Sequence, residues 1–105
     1  MRFMIYPVLK IAFDEKKLDD LCVELGIEEL YVFGSFARGT NTDTSDLDIM
    51  YTMKPGHVLG LEMVTLKEGL ETIFGLDVDI VSMKFVNRDR HYAMLRDAKR
   101  LYEAA

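Results

Sequence analysis

Apolar positions along the 105-residue chain change their spacing several times, and each change marks an element. In "FDEKKLDDLCVELG", Leu18, Leu21, Cys22 and Leu25 share one helical face. Asp14 stands where an N-cap belongs, Phe13 and Leu18 occupy the staple positions, and Gly26 supplies the stop. "EELYVFG" is a short β-rich run ending at Gly34, and "SFAR" after it suits a helical turn. "DLDIMYTM" gives a second strand beyond the polar loop "TNTDTS". "HVLGLEMVTLKEGLETIFG" places apolar residues at 59, 63, 66, 70 and 73, one helical stripe weakened by Gly60 and Gly69. "LDVDIVSM" is a third strand, and "NRDRHYAMLRDAKRLYE" predicts a closing helix with Met94, Leu95, Ala98, Leu101 and Tyr102 turned inward. The first twelve residues follow neither period. This order predicts one α/β domain over residues 1–105, a small mixed β-sheet with helices packed on it.

Composition narrows the class. Half the residues are apolar, enough for one modest core, yet no window approaches the ~20 apolar residues of a membrane span. A cytoplasmic protein with no membrane partner is expected. The single Cys22 cannot form an internal disulfide or a cysteine zinc cluster, and its leucine neighbours mark a buried thiol. A net charge of -5 disfavours autonomous binding to nucleic acid. Charge is uneven: residues 84 to 105 hold six of the thirteen Lys and Arg against three acids. That basic end suits an anionic ligand or partner, or a solvated helix face.

The acids carry the candidate chemistry. On a strand Asp46 and Asp48 project from the same side, roughly 6.5–7 Å apart at the backbone, with Leu47 and Ile49 directed to the core. Such carboxylates raise each other's pKa unless a cation lies between them, and an oxygen-only donor set favours magnesium, which takes one or two protein carboxylates with water and substrate phosphates. "LDVDIV" repeats the pattern with Asp77 and Asp79. Asp79 lies deeper in its strand and is assigned to the site, while Asp77 marks the strand's entry. If the two strands are neighbours, Asp46, Asp48 and Asp79 can hold two ions. The alternative for these acids is a solvent-facing strand surface. Gly34 and Ser35, at the end of the first strand, read as a phosphate seat of backbone N–H groups and one hydroxyl. Arg38, one turn on, either touches a phosphate or braces the loop onto an acid. Bracing is the preferred reading, and Arg38 is carried with Gly34 and Ser35 in the nucleotide-binding set.

"GSFARG", ten residues between Ser35 and Asp46, "DLD" and the later "VDIV" together resemble the nucleotidyltransferase superfamily of the DNA polymerase β type. The likeness runs from about Asp14 to Glu103 and is nearest to the minimal, single-domain members, the MntA-like antitoxins of HEPN/MNT toxin–antitoxin systems. The resemblance implies a polymerase β palm-like fold in which Gly34 and Ser35 hold the β and γ phosphates and Asp46 and Asp48 the magnesium ions. It makes Asp79 the third ligand, helping to deprotonate the acceptor. It further implies transfer of AMP from ATP to a tyrosine of a HEPN-domain toxin. Two other readings stay open: a binding module that masks its partner by complex formation, and transfer to RNA or a small molecule.

Overall fold

The computed structural model describes residues 3–6, 11–86 and 92–105. Strands β1 (Phe3–Tyr6) and β2 (Ile11–Asp14), in the stretch with no readable period, form an antiparallel pair. Helix α1 (Glu15–Leu25) begins at Asp14, whose carboxylate accepts from the Lys16 and Lys17 amides at 3.0 and 3.2 Å. It stops at Gly26, which takes the left-handed conformation at φ 72°. Phe13 and Leu18, the staple pair, are both buried.

The main sheet contains β3 (Ile27–Phe33), β4 (Leu47–Met53), β5 (Val78–Ser82) and β6 (Lys99–Glu103), in the spatial order β5-β4-β3-β6. β3 is antiparallel to β4 and β6, whereas β4 and β5 are parallel. Parallel neighbours need a crossover, and α3 (Glu62–Phe74) supplies it. This helix starts five residues later than the sequence period predicts from His57, and it buries Leu66, Leu70 and Phe74. Gly69, which weakens the helix locally, lets α1 approach: a Cβ there would strike the Leu21 side chain.

The chain's end differs from expectation. Only α4 (Tyr92–Asp97) is helical among the described residues of the predicted closing helix, and positions 87–91 lie outside the described residues. Residues 99–103 form β6 on the free edge of β3, with Leu30 opposite Tyr102 and Tyr31 opposite Arg100. The reason is tertiary. An open edge offers unpaired backbone groups to whichever segment reaches it, and that gain outweighs a helical apolar spacing of only a few residues. Tyr102 is still buried, but from a strand.

One side of the main sheet meets α1 and α3. Leu30, Val32, Leu47, Ile49, Tyr51 and Val78 cluster there with Leu18, Cys22, Leu66, Leu70 and Phe74. The Phe13 and Phe74 rings pack at 4.8 Å between centroids. Strand alternation sends Asp48, Met50 and Thr52 to the opposite side, near the short helix α4, which touches β3 and α2 (Gly34–Arg38).

Candidate active site

Three chain segments converge at one end of β4. Register pairs Phe33 with Asp48 on one side and Asp79 with Asp48 on the other, so the two aspartates are direct neighbours across the parallel ladder. Gly34, following Phe33, takes φ 71°, a conformation that L side chains rarely adopt. A Cβ on Gly34 would also collide with Asp48 Oδ2. Glycine is therefore needed twice at this position, for its backbone angle and for the closeness of the carboxylate.

Ser35 is the second residue of α2, a five-residue helix anchored by buried Phe36 and Ala37 and closed by left-handed Gly39. Asp46 is exposed and stands one residue before β4, just outside the strand that the sequence assigned it to. Asp77 likewise precedes β5, and its carbonyl accepts from the Leu47 amide at 2.8 Å. Asp43, Ser45, Asp46, Glu71 and Asp77 line a cleft of about 440 Å³. Asp79 and Arg38 are exposed, while Asp48 is half-buried.

Electrostatics tie these groups together. The Asp48 carboxyl is pushed above the usual aspartate range, first by burial, then by repulsion from Asp79 and from Asp46, with Arg38 opposing. Arg38, in the last turn of α2, acts on Asp48 in the opposite sense to the acids. Among the described residues no group of three or more His, Cys, Asp or Glu side chains is arranged to hold a metal ion. The opposed Asp48 and Asp79 nevertheless fit a hard divalent cation. They offer oxygen donors and closely spaced negative charge that Arg38 offsets only in part, and magnesium commonly takes one or two carboxylates while water and substrate complete its shell.

Sequence reasoning missed Glu71. From α3 its Oε2 accepts from the Val78 amide at 3.1 Å and from Lys67 Nζ at 3.2 Å. The Val78 bond, then the one from Lys67, holds its carboxyl below the usual glutamate range. Glu71 thus ties the crossover helix to the start of β5, one residue before Asp79. The available signal was a polar residue between the apolar positions 70 and 73, which does not distinguish this bond from a solvated face.

A parallel β4–β5 pair with opposed aspartates, next to a glycine-serine turn, defines a nucleotidyltransferase class of architecture. The family model described as "Polymerase beta, Nucleotidyltransferase" matches residues 16–105, and the chain belongs to that family of enzymes. A relative from Methanocaldococcus jannaschii, "Putative protein adenylyltransferase MJ0435", is 32% identical over 73 residues, covering 70% of this chain and 77% of the relative. Among solved structures, "Structure of putative minimal nucleotidyltransferase" is similar at 38% identity and TM-score 0.67, covering 83% of this chain and 87% of that one. A Shewanella oneidensis structure, a tri-AMPylated HEPN toxin in complex with an MNT antitoxin, shares the fold at TM-score 0.58 and 20% identity, over 86% of this chain and 70% of that one.

Proposed function

We propose that the protein is an antitoxin that transfers AMP from ATP to a hydroxyl, a tyrosine of a HEPN-domain toxin. The observation that carries the reading is Asp48 opposite Asp79 at the Gly34 turn. The names of the adenylyltransferase relative and of the toxin–antitoxin structure support transfer of AMP to a protein and a HEPN-domain toxin as partner.

In this mechanism the Gly34–Ser35 backbone and the Ser35 hydroxyl seat the β and γ phosphates, with Arg38 bracing the turn. Asp46, Asp48 and Asp79 would hold magnesium, two ions in the fullest form, which would supply charge neutralisation of the triphosphate and a lowered pKa for the acceptor hydroxyl. Asp79 orients that hydroxyl and receives its proton. The acceptor oxygen bonds to the α phosphorus, the bond from that phosphorus to the bridging oxygen breaks, and pyrophosphate leaves. A cation at the site would favour the ionised form of Asp48, offsetting the burial and the repulsion from Asp79 and Asp46 that raise its pKa.

The test is to mix the purified protein, its HEPN-domain partner, ATP and magnesium, and to weigh the partner by mass spectrometry. A gain of one or more AMP units is expected, and Asp48→Asn is expected to slow it on the order of 10³-fold while still binding the partner. A stable complex of unchanged mass favours masking without catalysis, and full transfer by the variant removes Asp48 from the chemistry.

A further inference from the structure

One peptide unit lies between the two pairs of acids. The Leu47 amide, flanked by Asp46 and Asp48, donates to the carbonyl of Asp77 at 2.8 Å. The other edge of that peptide is the Val78 amide, between Asp77 and Asp79, and it donates to Glu71 Oε2 at 3.1 Å. A trans peptide directs its C=O and N–H to opposite sides, so the Val78 amide points away from β4. Among the described residues β5 is the last strand on its side of the sheet, and Glu71 supplies the acceptor that a further strand would provide.

Glu71 is an acid in acidic surroundings. It shares a cleft with Asp43, Asp46 and Asp77, where like charge drives an untethered carboxylate outward. Lys67 Nζ, one helical turn back at 3.2 Å, offsets that charge and steadies the side chain. Attachment of α3 to β5 does not depend on it. Leu70, Phe74 and Val78 are buried, and the Gly75 amide closes α3 on the Glu71 carbonyl at 2.8 Å. Burial of the Val78 side chain fixes where β5 lies but leaves the tilt of the peptide before it free, and a hydrogen bond on each edge removes that freedom.

The tilt of this peptide bears on the chemistry. Its bond to Leu47 closes the β4–β5 ladder at the end that carries the acids. One residue further in, Asp48 and Asp79 stand opposite each other and repel, which works to part the strands there. An anionic acceptor on the N–H polarises the peptide and makes its carbonyl a stronger acceptor, so the Glu71 bond tightens the Leu47 bond.

We propose that Glu71 is a positioning residue for nucleotidyl transfer: acting through the Asp77–Val78 peptide, it keeps Asp79 in register with Asp48. This inference rests on the nucleotidyl-transfer reading of those acids. Gln at position 71 keeps an acceptor oxygen at the same reach, whereas Asp is one methylene too short and Ala has no acceptor. The three substitutions therefore separate the bond from the charge.

Steady-state transfer of AMP from ATP to the HEPN-domain partner, together with amide hydrogen exchange on the full chain, tests the assignment. Glu71→Ala and Glu71→Asp should lower kcat about 10-fold, the low end of losses for groups that orient metal ligands, with the KM for ATP within about 2-fold of wild type. Glu71→Gln should stay within about 3-fold of the wild-type kcat, because a neutral acceptor gives up only part of a charge-assisted bond. The Leu47 amide keeps its own partner in every variant. In Glu71→Ala it should nevertheless exchange about 5-fold faster relative to the Ile49 amide, as one weakened hydrogen bond allows. Leu18→Val, in the core beneath α1, should melt lower than wild type yet keep kcat per folded molecule and the Leu47 to Ile49 ratio. A wild-type kcat or an unchanged Leu47 ratio in Glu71→Ala overturns the positioning role and leaves the transfer reading standing, as does an equal loss of kcat in Leu18→Val. A wild type that transfers no AMP overturns the transfer reading itself, a separate failure because the exchange is read without partner or ATP. Should Glu71→Ala misfold, Glu71→Asp carries the same comparisons.

Discussion

The two sides of β4 make opposite demands on the same seven residues. Leu47, Ile49 and Tyr51 are buried against α1 and α3, where apolar contact stabilises the fold. Between them Asp48 points the other way, half-buried beside two acids, where its own ionisation is disfavoured. The core side therefore holds in place a charge cluster that would relax apart if it were free to move. Stability and function occupy alternate residues of one strand, and they can be perturbed separately.

The sharpest test of that separation is Asp48→Asn. Nucleotide transfer is expected to fall on the order of 10³-fold, as when a group acting on transition-state charge is removed, measured by partner mass and by pyrophosphate release. Without metal or nucleotide the same variant should melt slightly higher, since it removes the repulsion of half-buried Asp48 from Asp79 and Asp46. A lower melting temperature would mean that Asp48 also supports the fold.

Ile49→Ala is the mirror experiment. Urea unfolding should show a loss of about 2–5 kcal/mol from the emptied core space, while turnover per folded molecule stays near wild type. Gly34→Ala perturbs both sides at once. The left-handed backbone costs about 1–2 kcal/mol, and the added methyl displaces Asp48, so stability and transfer should fall together.

Glu71→Gln has a smaller effect, and pH exposes it. The folded pKa of Glu71 is depressed, so its contribution is present above the ordinary glutamate pKa and is lost as pH falls through the lower folded value. The variant should therefore show a weaker loss of stability in acid than wild type, read from melting temperature against pH. An unchanged acid profile would show that the Val78 bond carries no charge-dependent stabilisation. Smallest is Cys22, whose thiol burial pushes up to about 12. It should stay unreactive to a disulfide reagent until the protein unfolds, and fast labelling of native protein would show that α1 opens locally.

Much of this was legible in the order of residues. The span of α1 from its Asp14 cap to Gly26, the three strands β3 to β5 and the turn at Gly34 all follow from local rules of capping, alternation and glycine conformation. Alternation also separated Asp48 from Leu47 and Ile49, because the period of a strand does not depend on what it packs against. Asp46 shows the limit. Its position one residue outside β4 is a matter of where pairing with β5 begins, and no local pattern specifies that.

What the linear chain determined by itself was the inventory: a glycine-serine turn, alternating acids, and enough apolar faces to build one sheet with its helices. Tertiary structure decided the rest, because register and edge pairing depend on partners distant in the chain. It set Asp79 directly against Asp48, turned residues 99–103 from an expected helix into the strand that closes β3, and used Glu71 to secure the start of β5. A backbone group takes the partner that folding brings within reach, and sequence spacing alone does not reveal which partner that is.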